Sequence, residues 1–68
     1  MRPANFYEAM DPKGDFEYGT GDAASIVDWH RKYPDRSIYV SVWDEESEKD
    51  FRLLNDRIDI TAILKQGR

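Results

Sequence analysis

Residues 37–43, Ser-Ile-Tyr-Val-Ser-Val-Trp, constrain the fold of this chain more than any other stretch. In an extended backbone Ile38, Val40 and Val42 fall on one side, and Tyr39, Ser41 and Trp43 on the other. Successive side chains of a strand point to opposite faces, so this alternation of β-branched and aromatic residues predicts a half-buried strand. A helix lying over the aliphatic side leaves Tyr39 and Trp43 pointing away from it. Those rings then need another cover, or a partner.

The flanking segments supply the rest of a sheet. Residues 5–10 alternate as Phe6, Glu8, Met10 against Asn5, Tyr7, Ala9, a first strand. Asp11-Pro12-Lys13-Gly14 follows, with Asp opening a turn, Pro presetting φ at its second position and Gly accepting a left-handed conformation. Residues 15–18 return as a second strand with Phe16 and Tyr18 on one side and Glu17 on the other, which completes a hairpin. Gly19-Thr20-Gly21-Asp22 then breaks the strand, and Asp22 can cap a helix, with Thr20 as the competing cap. The helix is expected over Ala23–Lys32, ending before Pro34, because the residue preceding proline disfavours helical geometry. Ala23, Ile26, Val27, His30 and Tyr33 fall on one stripe of it, with Trp29 on the flank.

After Trp43, Asp44-Glu45-Glu46-Ser47-Glu48-Lys49-Asp50 is too charged for burial and reads as a hairpin loop. Two readings of the remainder stay open. Residues 51–54 and 57–60 can be two short strands joined by a tight turn at Asn55-Asp56; alternatively Asp59 or Thr61 caps a last helical turn over 62–66. An edge strand left open in this region could also add to another chain's sheet. The order strand, strand, helix, strand, strand predicts a two-layer α+β domain of ββαββ type. One helix packs on a mostly antiparallel sheet, with a short C-terminal helical turn as an addition.

Sixty-eight residues suffice for a single domain, and a chain this short buries only about 60% of the surface its unfolded form exposes. It has no cysteine, hence no disulfide or thiolate metal site to brace the fold; two Trp, four Tyr and three Phe are the natural substitutes. A net charge of −4 argues against general nucleic-acid binding and suits a basic partner surface. No apolar run approaches the roughly 20 residues of a membrane span, and Met-Arg-Pro-Ala-Asn lacks the apolar core of a signal peptide. The expected compartment is the cytoplasm.

No residue pattern fixes a chemistry. His30, the one histidine, stands mid-stripe on the helix, where a half-buried structural role outweighs a catalytic one built with Ser25, Ser41, Asp28 or Asp22. The acidic run lacks the alternating oxygen ligands and central glycine of a calcium loop. It can also imitate the phosphate rail of a nucleic acid. Gly19-x-Gly21 has no following Gly-Lys-Ser/Thr, so it is a loop and not a phosphate cradle. Tyr39 and Trp43, with Tyr7 and Tyr18 as expected neighbours, can cover the core, stack the bases of a single-stranded nucleic acid, or form a protein interface rich in aromatic rings.

The sequence reading is therefore a small acidic protein-interaction module without enzymatic activity, metal or cofactor. Its class is that of regulators and inhibitors such as those of phages and mobile elements. The expected interface comprises Tyr39, Trp43, Trp29, Glu45, Glu46 and Glu48. The expected partner is another protein, or a second copy of this chain in a homodimer. The competing classes are a single-strand nucleic-acid binder and a homo-oligomeric structural or adaptor protein.

Overall fold

A computed structural model describes residues 2–46 and 52–66. The elements are β1 (Pro3–Met10), β2 (Phe16–Thr20), α1 (Ala23–Lys32), β3 (Ser37–Asp44), β4 (Arg52–Asp59) and α2 (Thr61–Gln66). The strands form one antiparallel sheet in the order β2-β1-β3-β4. Residues 37–43 thus form a strand, as their alternation indicates, and it is an interior one, paired on both sides.

The β1–β2 turn closes through Asp11. Its Oδ1 accepts from the Lys13 and Asp15 amides, each at 2.9 Å, and its carbonyl accepts from the Gly14 amide at 2.9 Å. Gly14 takes φ of 90°, a left-handed conformation in which a side chain would be strained. The two candidate helix caps act in series. Thr20 Oγ1 accepts from the Asp22 amide at 3.1 Å, and Asp22 Oδ2 then accepts from the Ser25 amide at 3.1 Å and its hydroxyl at 2.6 Å. The helix closes where the Tyr33 amide donates to the Trp29 carbonyl, just before Pro34.

Ile26 of α1, at 1% exposure, meets Ala9 of β1 and Ile38 of β3, both fully buried, and this trio is the centre of the core. Tyr7, Tyr18, Val27, Trp29, Ile60 and Leu64 pack around it. His30 lies one helical turn beyond Ile26 on the same stripe, at 1% exposure. Of the rest of that stripe, Tyr33 stays 43% exposed and Ala23 lies at the surface. Trp29 stacks on Tyr18 with ring centroids 5.4 Å apart and planes 1° from parallel, and meets Tyr33 at 4.7 Å. Arg36 completes this ladder. It lies 5.5 Å from the Tyr33 ring centroid and pairs at 2.7 Å with both Glu17 and Asp35, which hold its guanidinium more firmly protonated than usual, Glu17 first.

Three sequence expectations need correction. Among the described residues of the expected strands 51–54 and 57–60 there is no turn at Asn55-Asp56: β4 runs unbroken from Arg52 to Asp59, and Phe51 lies outside the described residues. Its partner sequence Val40–Ile58, Val42–Asn55, Trp43–Leu53 gives β4 two extra residues. Asn and Asp, poor in regular strands, are thus accommodated in a bulged stretch rather than a turn. The alternative ending is the observed one. Asp59 Oδ1 accepts from the Thr61 amide at 2.9 Å and its hydroxyl at 2.7 Å at the start of α2, which places Asp59 below the usual carboxylate range.

Phe16 and Tyr18 do not share a face. Ala9 opposes Tyr18 while Met10 opposes Phe16, so Glu17 is an extra residue in β2 and the alternation reverses across it. Finally, Tyr7 and Tyr18 do not neighbour Trp43. Tyr7 opposes Val40 and Thr20, on the face that carries α1, and both tyrosines pack on the core.

Candidate functional site

The register defines the face opposite the helices. Ala4 opposes Trp43, Phe6 opposes Ser41, and Glu8 opposes Tyr39 and Gly19; Trp43 and Tyr39 in turn oppose Leu53 and Asp59 of β4. These side chains lie together on the open side of the sheet. Phe6 is 38% exposed, Leu53 42% and Phe16 59%. At Gly19 an added Cβ would come within 2.9 Å of Phe6 Cζ and 3.0 Å of Phe16 Cζ, so the missing side chain lets both rings lie close over the strand.

The middle of this face is polar. Arg57 Nε approaches Glu8 Oε1 at 3.6 Å, an ion pair that crosses β3 from β4 to β1. Ser41 is buried at 4% exposure between Tyr39 and Trp43 on its own strand and Phe6 opposite. Aromatic groups lie towards both ends of the face, Trp43 opposite Ala4 and Phe16 opposite Met10, with the Glu8–Arg57 pair between them. The face is not a continuous greasy sheet.

At the end of the face nearest Trp43 a cavity of about 330 Å³ is lined by Ala4, Asn5, Phe6, Gly21, Trp43 and Glu45. Its rim is fixed by backbone pairing. The Glu45 amide donates to the Arg2 carbonyl at 3.0 Å, while Asp44 Oδ1 accepts from the Arg2 amide at 3.1 Å and the Glu46 amide at 3.0 Å. Those two backbone donors hold the Asp44 carboxyl below its usual range. The Arg2 guanidinium, well exposed, approaches Glu45 Oε2 at 3.8 Å.

The expected site residues therefore separate. Trp43 and Glu45 meet at the cavity, and Tyr39 lies half-buried on the same face, further along β3. Glu46 is exposed just beyond the rim, and Glu48 lies outside the described residues. Trp29 belongs to the helix layer, stacked on Tyr18 and tilted against Tyr33, and is not brought together with Trp43. Phe6 and Phe16 are the rings that sequence reasoning missed. Alternation along β1 places Phe6 on the face opposite Tyr7 once Ala9 is known to be buried; the side that Phe16 takes is set by the bulge at Glu17, which has no local sequence signal.

His30 is sealed beneath α1, and among the described residues no three His, Asp or Glu side chains gather as a metal ion would need. Among those residues no helix is long and apolar enough to cross a membrane. No protein-family model, curated protein or solved structure matches the chain, which leaves its own residues to indicate a function.

Proposed function

We propose that this chain is a small non-enzymatic interaction module, a regulator or inhibitor, that binds another protein through the open face of its sheet. The observation that supports this reading is the cluster of Phe6, Phe16, Trp43 and Leu53 on the side away from both helices, opening into the cavity beside Glu45. Large apolar groups gathered on one uncovered face, rimmed by charge, are the usual composition of an interface core and its polar border. Tryptophan and phenylalanine bring large contact area there at small entropic cost. Asp44, Glu45 and Glu46 at one end add the negative potential that steers a basic surface.

The test is capture of partners from the source lysate by immobilised wild type, Trp43→Ala, and a Glu45/Glu46/Glu48→Gln variant. The reading expects Trp43→Ala to lose a specific captured protein while its circular dichroism stays that of wild type. Reduced capture by the Gln variant would locate the charge contribution. Equal capture by the folded Trp43→Ala protein would remove this face from the interface.

A further inference from the structure

The cavity beside Trp43 has a chemistry narrower than that of a general apolar pocket. Among the described residues, two aromatic side chains, Phe6 and Trp43, line it together with one ionisable group, the carboxylate of Glu45, and with no basic side chain. At about 330 Å³ it stands at the small end of ligand sites, which run from about 300 to 1,000 Å³, so it has room for one side chain and not for a helix. Aromatic walls and a single carboxylate together are selective for a cation on an apolar stem. Arginine matches best: its stem is aliphatic, its planar guanidinium stacks on rings, and its weak hydration lowers the penalty of leaving water. Lysine presents a compact, strongly hydrated charge and fits less well.

The chain supplies a second pointer. Its own Arg2 guanidinium stands 3.8 Å from Glu45 Oε2 and remains 73% exposed. That is a guanidinium drawn to this carboxylate yet held beyond the 2.7–2.9 Å or so of a charge-assisted hydrogen bond. A visiting guanidinium that reaches hydrogen-bonding distance of Glu45 competes with Arg2 directly. Arg52 stands opposite Asp44 on β4, where its positive charge adds a minor pull that lowers that carboxylate's pKa. The net charge of −4 favours a basic visitor over an acidic one.

We propose that this cavity is the seat of an arginine side chain of the partner protein, with Trp43 and Phe6 receiving its stem and plane and Glu45 its charge. The proposal rests on the reading of the open face as a protein interface, and it can fail while that reading survives.

The experiment titrates blocked Gly-Arg-Gly, Gly-Lys-Gly and Gly-citrulline-Gly peptides into isotope-labelled full chain, followed by amide and indole shifts. Citrulline keeps the shape and removes the charge. The arginine peptide is expected to shift the Trp43 indole and the amides near Phe6, Gly21 and Glu45. It should bind about three- to thirtyfold more tightly than the citrulline peptide, the range that a cation over an aromatic ring provides. Glu45→Gln should reduce that preference. Arg2→Ala, which keeps the backbone bonds of residue 2 but removes the internal competitor, should tighten arginine binding. Equal binding of arginine and citrulline peptides, shifts confined to other surfaces, or no shift at the solubility limit would overturn the arginine assignment. Loss of partner capture by Trp43→Ala alongside any of these would keep the face as an interface and discard only its arginine.

Discussion

Ile26→Ala tests whether the fold is held from one side of the sheet. Ile26 is 1% exposed and faces Ala9 and Ile38, neither of which has any exposed surface. Truncating a buried isoleucine costs about 2–5 kcal/mol, from lost transfer energy and the cavity left behind. Here α1 is a single ten-residue helix on a shallow core and can settle towards the sheet, so the expected cost is about 2–3 kcal/mol. A chain of 68 residues has a total stability of about 3–10 kcal/mol. The substitution therefore removes a large part of it, and the melting temperature should fall by about 8–24 °C. Urea titration followed by far-ultraviolet circular dichroism gives the free energy. Ile63→Ala is the control, since the same group on α2 is 65% exposed and should cost no more than about 0.5 kcal/mol. Equal losses from the two variants, or a loss below about 1 kcal/mol for Ile26→Ala, would refute this account of the core.

Two further outcomes follow from the polar contacts of α2 and its approach. Asp59 is below the usual carboxylate range because it accepts from the Thr61 hydroxyl and amide, so its folded form releases its proton at lower pH than the unfolded chain does. The stabilisation is present above the unfolded value near 3.9 and disappears as pH falls through the folded value. The stability gap between wild type and Asp59→Asn should thus be open at pH 7 and close below about pH 4; a gap independent of pH would contradict the assignment. Thr61 Oγ1 also accepts from the partly buried Ile38 amide at 2.8 Å. Thr61→Val keeps the shape and leaves that donor unpaired, so it should cost about 1–2 kcal/mol and speed hydrogen exchange at Ile38; unchanged exchange there would show that the bond contributes nothing.

The sequence made some of this legible for physical reasons that can be named. Ile38, Val40 and Val42 declare their strand because period-two alternation has no helical equivalent. Asp11-Pro12-Lys13-Gly14 and Asp22 declare a turn and a cap because few residues satisfy those backbone groups, and both act as expected. What stayed hidden is set by register. A bulge at Glu17 sends Phe16 to the open face and Tyr18 to the helix, and nothing local in Phe-Glu-Tyr marks it. The pocket likewise depends on Ala4 and Phe6 lying opposite Trp43 and Ser41, a pairing between residues about 40 positions apart. Trp43 itself was recognisable as an outward ring, whereas its neighbours were not.

The edges of the sheet bear on how a partner can approach. β4 is one outer strand, eight residues long, and it offers a template for strand addition. Its two register shifts break the even spacing of amide and carbonyl groups, and Arg52, Asp56, Arg57 and Asp59 place charge along it. The other edge, β2, has five residues and the bulge at Glu17. Bulges and charges are the devices that discourage edge pairing, and each edge carries at least one. The open-edge expectation for β4 is thereby weakened, and a hydrogen-bonded ladder to a second copy is disfavoured on both sides. The open face presents Phe6, Phe16 and Leu53 exposed, with Phe6 lining the cavity beside Trp43, and carries the ion pair Glu8–Arg57 along with Arg2–Glu45 at the cavity rim. A partner that meets this chain gains more by engaging those side chains than by extending its sheet.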